Sequence, residues 1–225
     1  EELGVESSLI VVRGVDTDVS PFDAGSYASS CTYVTGLAAK NAATELREKI
    51  CAKAAQMWDV DAADVVFDGQ YVRLSDERAA LECGRYLTLR DFANLCVKNI
   101  AGGDALTSHA SACLPVSPPP FMAGIAEVEV DKATGKVTVV DYAAAVDCGT
   151  VINEALARVQ AEGGIAQGIG HALYEIVEHD ERGRLRTGNF MSYKLPTRLD
   201  IGSIRVAFEP SYEPTGPFGA KSIGE

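Results

Sequence analysis

The sequence predicts an α+β fold, with mixed sheets packed against a few long helices. Three observations carry that prediction. An Ala-rich stretch at 31–58 places apolar residues at helical spacing, and 153–177 also reads as helical. Runs of β-branched residues flank short turn sequences, which reads as hairpins. Helical and strand patterns do not alternate in the regular rhythm of a doubly wound sheet.

Taken in order, "SLIVVRG" (8–14) is a β-branched run ending at Gly14, and reads as a buried strand. "VDTDVSPFDAGS" is a loop, in which Asp16, Asp18 and Asp23 form turns; calcium-loop spacing is absent. A long helix begins near Cys31, with Val34, Leu37, Ala38, Ala42, Leu46, Ile50 and Ala54 on one face. "DVVFDGQYVRLS" (64–75) predicts a hairpin turning at Asp68-Gly69. "TLRDFANLCVKNIAGG" predicts a helix capped by Thr88, with Asp91 in its first turn and a stop at Gly102-Gly103. "SPPPF" (117–121) is a stiff connector into a long hairpin whose strands flank "DKATGK". The helix at 153–177 carries Gly163, Gly164, Gly168 and Gly170, each costing about 1 kcal/mol relative to Ala inside a helix. A further hairpin turns at Asp180–Gly183, and "SIRVAFEP" (203–210) is the final strand.

Composition excludes several functions. The net charge of −12, with Lys and Arg scattered, leaves no basic stripe to neutralise nucleic-acid phosphates. No apolar run approaches the ~20 residues of a membrane span, and the acidic start has no signal-peptide character. Six cysteines (31, 51, 83, 96, 113, 148) contain no C-x-x-C pair, which argues against zinc or iron–sulfur ligation by this chain. They read as reduced thiols of a cytoplasmic protein, mostly filling the core. His109, His171 and His179 lack metal-ligand spacing, and His179 reads as a solvent-facing turn residue. "GGIAQGIG" has the wrong spacing for a dinucleotide fingerprint, and no P-loop or G-x-S-x-G elbow occurs.

Three stretches rich in Ser, Gly and Gln remain: "GSYASSCTYVTG" (25–36), "RVQAEGGIAQGIG" (158–170) and "GAKSIGE" (219–225). Small residues with amide, hydroxyl and backbone donors suit a large polar ligand. In this order, with "PPPFMAGIAEVEVDKATGKV", "VDCGTVINEALARVQAEGGIAQGIGHALYE" and "MSYKLPT", they resemble the molybdenum-binding subunit of the molybdenum hydroxylases, the xanthine dehydrogenase/aldehyde oxidase family. The flavour is nearest to bacterial xanthine dehydrogenase-like subunits.

That resemblance implies a molybdenum–molybdopterin cofactor, whose forms include the cytosine dinucleotide, with no metal ligand from the protein itself. It implies Glu225 as catalytic base and Ser29, Cys31, Thr32, Gln160, Ser222 and Gly224 as cofactor contacts. Tyr27 and Ala28 would face the substrate channel, and the helix glycines would admit the cofactor closely. The implied fold is a two-lobed molybdopterin-binding domain over 1–225, dividing near 116 and 117. It corresponds to the second molybdenum domain of a longer subunit, whose partners are the first molybdenum domain and iron–sulfur and FAD subunits. The expected reaction is oxidation of a purine or related N-heterocycle. Aldehyde oxidation and thioester-linked aromatic reduction are neighbours within the family, and a cofactor-free scaffold is the alternative of another class. The chain alone is expected to bind little cofactor and to be inactive.

Overall fold

The computed structural model describes all residues except 15, 24, 99–104, 114–115 and 224–225. The chain forms two compact units, Glu1–Ala24 with Thr35–Cys113, and Gly25–Val34 with Leu114–Glu225. Both combine helices with sheet, so the fold is α+β.

In the first unit, α1 (Cys31–Trp58), which belongs to it from Thr35 onward, follows the predicted helix. Its Ile50, Ala54 and Ala55 share a core with Val65 and Phe67 of β1 (Val65–Phe67) and Val72 of β2 (Tyr71–Leu74). Phe92 and Cys96 of α3 (Leu89–Lys98) complete that core. The hairpin turns at Asp68-Gly69 as expected, and the Asp68 carboxylate accepts from the N–H groups of Gln70 and Tyr71. β3 (Tyr86–Thr88) extends this sheet antiparallel in the order β1-β2-β3, and α2 (Glu77–Glu82), capped by Asp76, fills the connection. Both elements are too short to show periodicity in sequence. Thr88 caps α3 by accepting from Asp91 N–H at 3.1 Å; the expected stop at Gly102-Gly103 lies outside the described residues.

Residues 8–14 do not form the predicted buried strand. Ser7–Leu9 is a 3-10 turn, and Leu9, Ile10, Val11 and Val12 are exposed. β-branched residues favour extended backbone, but a strand also needs a partner ladder, and no described residue supplies one. The cysteines also depart from expectation. All six are free thiols, but only Cys96 and Cys148 are buried. Cys31, Cys83 and Cys113 are exposed at helix ends or in irregular backbone, outside both apolar clusters.

In the second unit, β4 (Phe121–Val130) and β5 (Val137–Asp147) form the long antiparallel hairpin, with a bulge between Glu127 and Val128. β6 (Ser203–Phe208) pairs parallel with β5, giving a mixed sheet in the order β4-β5-β6. Parallel neighbours require a crossover, and α4 (Glu154–Leu173) lies within it. Ala161, Ile165 and Ile169 of α4 pack with Val139, Ala144, Val146 and Val206 of the sheet. Asn153 caps the helix by accepting from Leu156 N–H at 3.1 Å. The helix ends at Leu173, earlier than the apolar pattern predicts. The predicted hairpin near 180 is reduced to one bridge, His179 to Leu185, around the expected Asp180–Gly183 turn. No helix among the described residues is long and apolar enough to cross a membrane.

Gly69 and Gly4 approach back to back. A Cβ on Gly69 (φ 96°) would lie 2.1 Å from the Gly4 carbonyl oxygen, whereas Gly84 (φ 69°) has open space around it. Gly69→Ala is expected to cost at least about 3 kcal/mol, from left-handed strain plus overlap, and Gly84→Ala about 1–2 kcal/mol from strain alone. Urea denaturation of the two variants measures the difference.

Candidate functional site

Three loops of the second unit converge on the first two turns of α4. They enclose a cavity of about 370 Å³. Ser29 lines it from one loop, with Cys31 and Thr32 from the start of α1 that follows, and Thr150 and Asn153 from the second. Lys221 and Ile223 line it from the third, and Ala157 and Gln160 from the helix. None of the described lining residues is an acid, although the chain carries 32 Asp and Glu residues.

The first loop reaches the cavity through a tight reversal. Ala28 and Ser29 both adopt left-handed backbone, at φ 48° and 49°, and Ser30 N–H closes the turn onto the Tyr27 carbonyl at 3.1 Å. Two consecutive non-glycine residues in this region cost about 1–2 kcal/mol each, so tertiary contacts must hold them. One contact is Gln160, whose Nε2 donates to Ser29 Oγ at 3.0 Å. Another lies one turn into α1, where Tyr33 is 3% exposed. The Thr215 hydroxyl donates to Glu213 Oε1, so Tyr33 is the donor in its 2.6 Å bond to Thr215 Oγ1. The expected apolar face of α1 is therefore wrong at this end: Tyr33 is buried and Val34 is exposed.

The second and third loops are tied at Asp147, the last residue of β5. Its Oδ1 accepts from Gly149 N–H at 3.0 Å and from the Ser211 hydroxyl at 2.5 Å, and its Oδ2 lies 2.8 Å from Lys221 Nζ. The backbones then pair: Lys221 N–H donates to the Cys148 carbonyl, and Thr150 N–H to the Gly219 carbonyl, both at 2.8 Å. That approach needs a glycine at 149, where φ is 72° and a Cβ would lie 2.4 Å from the Gly219 oxygen. Partial burial pushes the Asp147 carboxyl up. The Lys221 ammonium and the two hydrogen bonds to Oδ1 more than offset it and hold the group at about 2. Burial, with Asp147 beside it, pushes the Cys148 thiol up, which keeps it protonated at neutral pH.

Of the residues singled out in sequence, the fold brings Ser29, Cys31, Thr32 and Gln160 together on this cavity. Ser222 is buried between two lining residues, Lys221 and Ile223, without lining the cavity itself. Tyr27 is 69% exposed, and both it and Ala28 lie outside the lining. Gly224 and Glu225 lie outside the described residues. The helix glycines do not line this cavity. Gly164 and Gly168 border a separate apolar cavity of about 660 Å³ between the last turns of α4 and the sheet. At Gly170 an added Cβ would meet Glu175 Oε1 at 2.2 Å, which is local packing. A helix turns its face by about 100° per residue, so the face with Asn153, Ala157 and Gln160 differs from the apolar one at 161, 165, 168 and 172. Asp147, Gly149, Asn153 and Lys221 were missed. Their signal was a lone cation and a lone acid, each embedded in a run of small residues.

The Asp147 carboxyl is depressed in the folded state, so its contribution to stability is complete above the ordinary value of 3.8 and is lost as pH falls toward about 2. Thermal melts from pH 5 to pH 2 are expected to show Asp147→Asn losing less stability across that window than the unmodified chain, after starting about 1–3 kcal/mol lower.

Comparison with known proteins places this geometry. The profile of the molybdopterin cofactor-binding domain matches residues 1–202. The putative xanthine dehydrogenase molybdenum-binding subunit of Escherichia coli is 35% identical over all of this chain and 30% of its own length. The probable hypoxanthine oxidase of the same species is 37% identical over 96% of this chain and 22% of its own length. The carbon monoxide dehydrogenase large chain of Hydrogenophaga pseudoflava is 29% identical over the whole chain and 28% of its own length. In structure, a Cu,Mo-CO dehydrogenase superposes with a TM-score of 0.82 at 26% identity, over 99% of this chain and 28% of that one. Quinoline 2-oxidoreductase from Pseudomonas putida gives a TM-score of 0.71 at 30% identity, over 88% of this chain and 25% of that one. The chain thus spans less than a third of the length of these relatives.

Proposed function

The chain belongs to the molybdopterin cofactor-binding domain family, and from that premise we propose that it forms one wall of the active site in a cytoplasmic molybdenum hydroxylase acting on a purine or related N-heterocycle. The observation that carries this reading is the Gln160–Ser29 hydrogen bond, made across 131 residues of sequence between two residues of a donor-lined cavity whose described lining holds no acid. The names of the two Escherichia coli relatives, xanthine dehydrogenase and hypoxanthine oxidase, favour a purine over carbon monoxide as substrate. Relatives described as a large chain and as a subunit of a dehydrogenase complex support assembly with further subunits, which would carry iron–sulfur clusters and FAD.

The residues present fit a molybdopterin. The hydroxyls of Ser29 and Thr32 and the amides of Asn153 and Gln160 match the heteroatoms of a pterin, and they line one cavity. The start of α1 at Cys31 puts the positive end of a helix dipole beside that cavity, which suits the cofactor's phosphate. When bound, the molybdenum centre supplies the two-electron oxidation and directs a water-derived oxygen to the substrate. The chain's own tasks are to bind and orient the pterin and to accept a proton. Glu225 is the residue we assign to the proton, four positions beyond the anchored Lys221. Tyr27 and Ala28 belong on the substrate side of the Ser29 turn in this reading, and Ser222 and Gly224 are assigned as further cofactor contacts.

In the intact subunit, Glu225→Gln is expected to lower kcat by about 10²–10⁴-fold while molybdenum and pterin content stay at wild-type levels. Gln160→Ala is expected to weaken pterin retention by about 2–10-fold, the value of one hydrogen bond. Metal analysis, pterin fluorescence and steady-state kinetics on the same preparations measure all three quantities. A Glu225→Gln enzyme that keeps most of its turnover would remove the proton-acceptor role.

A further inference from the structure

We propose that Tyr33 is a positioning residue that sets the width of the polar cavity: it holds the wall carrying Ser29 and Thr32 at a fixed distance from the wall carrying Ala220 and Lys221. The proposal deepens the reading of this cavity as the pterin site and rests on it. Tyr33 itself lies outside the lining.

Tyr33 follows directly on Thr32, in the first turn of α1, and is 3% exposed. A residue that only filled space there would need no hydroxyl, because a buried hydroxyl without a partner costs free energy. Here the hydroxyl is used. It donates to Thr215 Oγ1 at 2.6 Å, and Thr215 donates in turn to Glu213 Oε1 at 2.6 Å. The Thr215 N–H reaches the same Glu213 oxygen at 3.0 Å. The Val116 carbonyl, at 3.5 Å, is the poorer acceptor for a group with a single proton to give. The two bonds from Thr215 hold the Glu213 carboxyl below the usual carboxylate range, so the chain of bonds ends on an ion that can only accept. Its direction is fixed from Tyr33 to Glu213.

The far end of this chain belongs to the other loops of the cavity. Glu213 N–H donates to the Gly219 carbonyl at 3.0 Å, and the same carbonyl accepts from Thr150 N–H at 2.8 Å. Thr150 and Ala220, on either side of that bond, both line the cavity. The ring of Tyr33 meets the same loop. A Cβ on Gly216 would overlap the Ala220 carbonyl oxygen and lie 3.1 Å from Tyr33 Cδ2, so the ring rests where the loop folds back on itself. Ring and hydroxyl thus bear on the 213–220 loop together, across 182 residues of sequence. On the near side, Ala28 and Ser29 are in left-handed backbone, which persists only where its surroundings hold it. A site that binds through fixed donors loses affinity when their spacing loosens, since the ligand must then pay to order them.

The test uses the intact subunit with Tyr33→Phe, Tyr33→Leu, Thr215→Val and Thr215→Ser, and with Tyr193→Phe as a control. Tyr193 donates to Glu175 Oε2 in the same unit, and neither residue lines the cavity. Tyr33→Phe and Thr215→Val are each expected to weaken pterin retention by about 3–10-fold, and the double variant by no more than either alone. Thr215→Ser keeps the hydroxyl and is expected to stay within about twofold of wild type. Tyr33→Leu, which also removes the ring, is expected to weaken retention by more than about tenfold. Tyr193→Phe is expected to lower the melting temperature at least as much as Tyr33→Phe while pterin retention stays unchanged. Hydrogen exchange followed by mass spectrometry on the cofactor-free subunit gives a readout independent of loading. Peptides covering 26–33 and 213–220 should exchange about 3–10-fold faster in Tyr33→Phe, and peptides covering 121–147 at the wild-type rate. Additive losses in the double variant, retention that simply follows melting temperature across the variants, or unchanged exchange in Tyr33→Phe would overturn Tyr33 as the spacer. Gln160→Ala measured in parallel separates the two ideas. A Gln160→Ala subunit that keeps its pterin defeats the pterin reading of the cavity, whereas a weakened Gln160→Ala beside an unchanged Tyr33→Phe defeats the spacer alone.

Discussion

The order of the second unit's loops depends on neutralising one carboxylate. Asp147 ends the central strand of a mixed sheet, where the backbone leaves regular hydrogen bonding and must be held by something else. A partly buried anion in a chain of net charge −12 is costly unless it is paired. Lys221, Ser211 and the Gly149 N–H supply that pairing, and in doing so they bring the end of β5 and the 211–221 loop to one point. Gly, Ser, Thr and Pro make up about half of these loops, and such residues bury little apolar area. Charge-assisted hydrogen bonds do there what a hydrophobic core does elsewhere.

The cavity that results runs against the composition of the protein. Acids dominate the chain, yet the described lining contains none, and its one cation is already committed to Asp147. An anionic ligand would therefore meet hydroxyls, amides and a helix N-terminus, with no pairing charge free in the lining. Such a site selects by the pattern of donors and acceptors more than by attraction at a distance. A large heterocycle with a phosphate arm is recognised well in that manner.

α4 shows how one helix can serve two environments. Its first turns present Asn153, Ala157 and Gln160 to the polar cavity, and its last turns present Gly164, Gly168 and Ala172 to an apolar one. Of the four helix glycines, Gly164 and Gly168 border the apolar cavity. An added Cβ would meet a neighbour only at Gly170, and Gly163, Gly164 and Gly168 have open space around them. The reading of 8–14 failed for want of a partner. β-branched composition describes what a strand prefers, and a strand forms only where a neighbour offers its hydrogen bonds.

Local chemistry was legible in sequence wherever the cause was local. The Asp68-Gly69 turn, the Thr88 cap and the long hairpin each follow from residues within a few positions of one another. Family motifs picked out Ser29, Cys31, Thr32 and Gln160, because those residue types recur in a set order along the chain. The joining of those residues was decided by the tertiary structure. Ser29 meets Gln160 across 131 residues, and Lys221 meets Asp147 where the 211–221 loop pairs with the end of β5. Contacts across more than 70 residues are governed by packing and by the pairing of buried charge, and neither leaves a periodic trace in the sequence.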